Sequence, residues 1–161
     1  MTTSFELFPK LIKESGYTLS SAESCTGGLI GHLITNIPGS SMFFPGGIVA
    51  YSNEIKSALL DVSPELLKQH GAVSEEVAAA MATGVNKRMK TDIGVSTTGV
   101  AGPGGGTPEK PVGMVFIGLA FRDRVIVEKY HWPFNRLENK ESSAEQALQM
   151  IVDHILQVRG T

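Results

Sequence analysis

YTLSSAESCTGGLIGHLITNI, running from Tyr17 to Ile37, changes its periodicity midway. Tyr17 to Ala22 reads as a short strand. Gly27 to Ile37 spaces its apolar residues as a helix does, and Pro38-Gly39 ends it. Between them lies a polar elbow, Glu23-Ser24-Cys25-Thr26, followed by the pair Gly27-Gly28. A strand that feeds a helix through such an elbow is half of a crossover unit, so the rest of the chain is read for its partner strands.

Upstream, residues 5–15 carry Phe5, Phe8, Leu11 and Ile12 at helical spacing, with Pro9 obscuring the start and Gly16 as a stop. Downstream, Gly46 to Ser52 reads as a strand, and Glu54 to Leu60 and Pro64 to His70 as two short helices. Ser74 is a helix cap with Glu75 and Glu76 in the first turn, where the helix dipole favours them. Val77, Met81, Val85 and Met89 then form a core-facing stripe. Asp92 to Thr98 is a strand. Gly99 to Pro111 is a Gly/Pro loop. Val112 to Phe121 and Val125 to Trp132 are the arms of a hairpin, and residues 144–156 are a final helix. Strands separated by helices, with a late hairpin, predict an α/β fold: a three-layer α/β/α sandwich around a mixed, mostly parallel sheet, in one domain spanning residues 1–161.

Composition bounds the function. The 161 residues suffice for a core without disulfide or metal, and 42% hydrophobic with 19% charged content is that of a globular chain. A net charge of −2 with no concentrated basic face argues against a nucleic-acid partner. No apolar run reaches the roughly 18 residues of a membrane span, and Met1 to Ser15 has no cleavage signature, so a cytoplasmic location is expected. The sole cysteine, Cys25, excludes an intrachain disulfide and a cysteine-built zinc site. His32, His70, His131 and His154 lack metal-ligand spacing, so no metal is expected.

Three polar segments follow three of these strands: Glu23 to Gly28, Tyr51 to Lys56, and Thr97 to Pro103. If the strands are parallel, all three meet at the sheet's carboxyl edge, where open α/β folds bind ligands. In the first, Ser24 is a candidate nucleophile, and the backbone N–H groups around Thr26, Gly27 and Gly28 could hold an oxyanion or phosphate; the plain alternative is a helix cap. In the second, Lys56 sits in the first turn of a helix, where burial and the dipole would weaken its hold on a proton; the alternative is an exposed, hydrated amine. Tyr51 could orient Ser24 or pack as a core aromatic, and Asn53 could contact substrate or cap the helix. In the third, Thr98, Gly99 and Gly102 could contact a ribose or phosphate, although the Gly-rich loop matches no nucleoside-triphosphate or dinucleotide motif. Arg136 could pair with a phosphate or simply be surface. Cys25 lacks a placed histidine to activate it, and His70 is a minor candidate.

AESCTGG at 22–28, YSNE with Lys56, HGAVS at 70–74 and TGVAGP at 98–103, taken together, resemble the CinA C-terminal domain family from about Ser4 to Leu156. The resemblance implies a three-layer α/β sandwich and metal-free hydrolysis of nicotinamide mononucleotide to nicotinic acid mononucleotide and ammonia. It places the nucleophile on Ser24 and the base on Lys56, with Tyr51 and Thr98 in the site. It also implies a small-molecule nucleotide substrate, no cofactor, and a homo-oligomer. Lys140 departs from the arginine expected shortly after Asn135-Arg136; lysine holds phosphate as a point charge and not bidentately. A nucleotide-binding module without turnover, or an amidase for another amide, are the alternatives.

Overall fold

A computed structural model describes residues 4–160. The elements are α1 (Ser4–Ser15), β1 (Leu19–Glu23), α2 (Leu29–Thr35), β2 (Gly46–Val49), α3 (Asn53–Leu60), α4 (Pro64–His70), α5 (Glu75–Met89), β3 (Ile93–Gly99), β4 (Met114–Phe121), β5 (Arg124–His131) and α6 (Arg136–Arg159). A short 3-10 turn, Ser40–Met42, precedes β2. The sheet order is β2-β1-β3-β4-β5. β1 pairs parallel with β2 and β3, while β4 pairs antiparallel with β3 and β5. The sheet is therefore mixed as expected, with β4 running against the other strands and the ladders split evenly between the two kinds.

Both faces of the sheet are covered. Leu19, Ile93, Val95, Val115, Ile117 and Leu119 face one core, filled by α1, α2 and α6 through residues such as Ile12, Ile30, Leu148 and Ile151. The alternate residues are small (Ser20, Ala22, Gly94, Ser96, Gly118, Ala120), and α5 packs on them.

The small face allows unusually close approach. A Cβ at Gly94 would lie 2.4 Å from the Ala82 carbonyl, and one at Gly118 would lie 2.7 Å from the Ala78 carbonyl. The Ser96 hydroxyl donates to the same Ala78 carbonyl at 2.6 Å. On the far side of α5, Gly84 makes room for the end of α3: a Cβ there would be 2.0 Å from the Leu60 carbonyl. Sheet, α5 and α3 are thus stacked backbone against backbone, which fixes the height of α3 above the carboxyl ends of β1 and β2.

Several boundaries differ from the sequence reading: β1 spans Leu19–Glu23 and not Tyr17–Ala22, β2 ends at Val49 and not Ser52, and β4 begins at Met114 and not Val112. α6 begins at Arg136, eight residues before the expected start at Ala144. Its first turns are polar and hide the hydrophobic period, but a capping box declares the true start: Glu138 N–H donates to Asn135 Oδ1 at 2.9 Å, and Asn135 N–H to Glu138 Oε2 at 3.3 Å. α3 is capped by Ser52, whose Oγ accepts from Ile55 N–H at 3.2 Å, which leaves Asn53 free of the capping role considered for it.

Gly84→Ala gains helix propensity but must separate α5 from α3. It is expected to lower unfolding free energy by about 1–3 kcal/mol net in denaturant titration. Gly104→Ala, where nothing lies within 4 Å of the added Cβ, is the control and should change it by less than about 0.5 kcal/mol.

Candidate active site

At the end of β1 the chain turns sharply, with Gly27 and Gly28 at φ of 61° and 104°, values that glycine adopts without strain. Ser24 extends the ladder first: its N–H donates to the Thr97 carbonyl at 3.0 Å. The side chains of Glu23 and Ser24 then engage different partners. The buried Glu23 carboxylate accepts from Ile30 N–H at 2.8 Å, Gly31 N–H at 3.1 Å and Thr26 Oγ1 at 2.6 Å. Ser24 Oγ lies 3.0 Å from Lys56 Nζ.

Lys56 is brought there by α3, thirty-two positions along the chain. Only 1% of it is exposed. Its Nζ also lies 3.1 Å from the Tyr51 carbonyl oxygen. Burial lowers its affinity for a proton below that of an ordinary lysine, partly offset by the Glu54 carboxylate. As a neutral amine, Nζ can donate to the Tyr51 carbonyl and accept the Ser24 O–H with its lone pair. That is the arrangement of a nucleophile with its base.

Cys25, beside Ser24, is held as a thiol. Its pKa is pushed up to about 12, first by desolvation and further by the Glu23 carboxylate; its own backbone N–H and the Thr97 hydroxyl offset only part of this.

Ser24, Lys56, Tyr51, Asn53, Thr98, Gly99 and Arg136 line one cavity of about 210 Å³, with Ala72 and Val73 on its wall. Within it, Thr98 Oγ1 donates to the Ala72 carbonyl at 2.7 Å, so its remaining capacity is as an acceptor. Tyr51 is exposed, and its hydroxyl accepts from Arg136 Nη2 at 3.3 Å. Arg136 Nη1 donates to the Gly102 carbonyl at 2.6 Å. Gly102 itself lines a neighbouring cavity of about 520 Å³ that shares Ala101 and Arg136 with the first.

Thr26, Gly27 and Gly28 are not in the Ser24 cavity. They line a separate cleft of about 340 Å³ with His32, Leu137 and Lys140. Several amides of this turn and of the start of α2 are already engaged. Gly27 N–H donates to the Ser24 carbonyl and Leu29 N–H to that of Thr26. Ile30 and Gly31 are taken by Glu23, whose carboxylate occupies the positive end of α2.

Two supporting residues escaped the sequence reading. Glu23 anchors the elbow through the chain Glu23–Thr26–Thr97, with Thr26 Oγ1 2.7 Å from Thr97 Oγ1. Asn139, 1% exposed, holds the Gly-rich loop by donating from Nδ2 to the Ala101 carbonyl at 3.0 Å, while its Oδ1 accepts from Phe134 N–H. The signal for Asn139 was its place one turn after the Asn135 cap; Glu23 had none beyond a carboxylate ending an apolar strand. His70 pairs with Glu76 at 3.5 Å and does not line the Ser24 cavity.

Comparison with known proteins places this chain in a family. The sequence model of the CinA C-terminal domain matches residues 2–155. A CinA-like protein of Trichodesmium erythraeum is 52% identical over 131 residues, covering 81% of this chain and 31% of its own. A CinA-like protein of Kosmotoga olearia is 47% identical over 146 residues, covering 91% of this chain and 35% of its own. The chain thus spans about a third of the length of these curated relatives. Among solved structures, a competence/damage inducible protein from Agrobacterium tumefaciens superposes with a TM-score of 0.88 at 38% identity, covering 93% of this chain and 94% of that one. A CinA superfamily protein from Klebsiella pneumoniae gives 0.91 at 27% identity, covering 96% and 99%. With the family model spanning nearly its whole length, this chain belongs to the CinA C-terminal domain family.

Proposed function

We propose that this chain is a metal-free amidohydrolase that converts nicotinamide mononucleotide to nicotinic acid mononucleotide and ammonia. The observation that carries the reading is the buried Lys56 amine 3.0 Å from Ser24 Oγ. A structural lysine would place its ammonium in water; one kept dry beside a hydroxyl is suited to taking that hydroxyl's proton.

In the first half-reaction Ser24 Oγ bonds to the carboxamide carbon as its proton passes to Lys56 Nζ. The resulting ammonium then lies beside the tetrahedral oxyanion, with Asn53 as a further donor on the cavity wall. The C–N bond breaks as Lys56 returns the proton to the leaving nitrogen, releasing ammonia and leaving an ester on Ser24. Water, deprotonated by Lys56, hydrolyses that ester and restores both residues. The amide occupies the small cavity; the ribose phosphate extends past Arg136 toward the larger one, with Arg136 as its cationic partner. A pyridine nucleotide substrate sets this work in the cytoplasm.

Ser24→Ala and Lys56→Met should each reduce ammonia release from nicotinamide mononucleotide by about a thousandfold or more. Near-wild-type release from Ser24→Ala would end the assignment. Arg136→Ala should act mainly on KM, raising it about tenfold or more while kcat changes less; an unchanged KM would remove Arg136 from phosphate binding.

The base must be unprotonated, so kcat/KM should rise with pH through a titration below the ordinary lysine value of 10.5. Stability follows the same sign. Between the native Lys56 value and 10.5 the unfolded chain binds more protons than the native one, so wild-type stability rises with pH across that window. Lys56→Met lacks this gain. The unfolding free energy of wild type minus that of Lys56→Met should therefore grow as pH rises toward 10.5; a difference that stays flat contradicts a lowered Lys56.

A further inference from the structure

The two edges of the sheet are managed differently. At one, β2 is only four residues long and is preceded by Pro45, so it offers little template for another strand. At the other, β5 is eight residues in unbroken register with β4, without bulge or proline. Val125 is 40% exposed and Ile126 46% exposed at the start of that strand, an uncovered apolar pair at an open edge.

Symmetry restricts how such an edge can pair with a second copy of itself. An antiparallel extension of one continuous sheet needs a two-fold axis perpendicular to it. That axis keeps each side chain on its own face, so the pairing must be centred on a residue and not between two. Centring on Val127 sets Ile126 against Glu128 and Val125 against Lys129; centring on Val125 sets Arg124 against Ile126. Centring on Ile126 sets Ile126 against itself, Val125 against Val127, Arg124 against Glu128, and Asp123 of the preceding turn against Lys129. In that register every apolar residue meets an apolar one and every charge meets its opposite, twice over by symmetry. Glu128 already accepts from the Tyr130 hydroxyl on its own strand through Oε2, which leaves Oε1 for an incoming guanidinium.

We infer that β5 is a homodimer interface, in which two copies pair antiparallel about a two-fold axis through Ile126, with Arg124 of each opposite Glu128 of the other. The carboxyl edge with Ser24 and Lys56 is not part of this contact, so the interface stands independently of the reaction proposed above.

Sedimentation velocity on the full chain tests it. The wild type should be a dimer. Arg124→Glu and Glu128→Arg alone place like charges in opposition and should each weaken the dimer by about tenfold or more. The double variant R124E/E128R re-creates the pairs with their signs exchanged and should return to within about threefold of wild type. Ile126→Cys supplies a second reading: thiols on the axis lie within disulfide reach, and mild oxidation should yield a covalent dimer. A wild type that stays monomeric into the high micromolar range overturns the proposal. So do single variants that leave the dimer unweakened, a double variant as weak as the singles, or Ile126→Cys that does not cross-link.

Discussion

The amine of Lys56, withdrawn from water and held against Ser24, is the contact around which this end of the molecule is arranged. Desolvation penalises a buried ammonium, so burial moves Lys56 toward the neutral amine, and a neutral amine has a lone pair to offer a hydroxyl. The position holds only if α3 sits at a fixed height over the sheet. That height is set by backbone approach: α5 settles on the small face at Gly94 and Gly118, and Gly84 receives the last carbonyl of α3. Glycines remote from the cavity therefore determine a distance within it.

The other side of the site is fixed by polar groups. Glu23 satisfies the start of α2 and ties the elbow to β3 through Thr26 and Thr97, so Ser24 leaves the sheet on a rigid turn. From the opposite layer, the first turn of α6 grips the Gly-rich loop twice, Asn139 at Ala101 and Arg136 at Gly102, and Arg136 reaches on to the Tyr51 hydroxyl. The buried members of these contacts, Glu23, Thr26 and Asn139, are hydrogen-bonded, and each contact removes a freedom that Ser24 and Lys56 would otherwise have.

Much of this was legible in the sequence. The elements and their order follow from periodicity, and α4 and α5 match their expected ends; Ser74 was read as a cap, and the structure adds Ser63 as the cap of α4. Placing three polar segments at one sheet edge needed only parallel pairing, and it brought Ser24, Tyr51, Asn53, Lys56, Thr98 and Gly99 together. What periodicity could not show was where polar side chains are spent. Glu23 looks like any carboxylate at a strand end, yet it occupies the helix start that seemed free for an anion. Thr26, Gly27 and Gly28 line another cleft. The beginning of α6 was missed because its exposed polar turns carry no apolar stripe, and with it went Asn139 and the geometry of Arg136.

The protonation of Lys56 Nζ is open to direct observation. Titrating the full chain by NMR, with lysine Cε and Nζ labelled and Lys56→Met used to assign the resonance, reads the group on which the proposed chemistry depends. A Lys56 signal that moves to the neutral-amine position well before the other lysines is the predicted result. A Lys56 signal that titrates with them, at the ordinary value of 10.5, would mean that the amine beside Ser24 is an ammonium at neutral pH and cannot take the hydroxyl's proton.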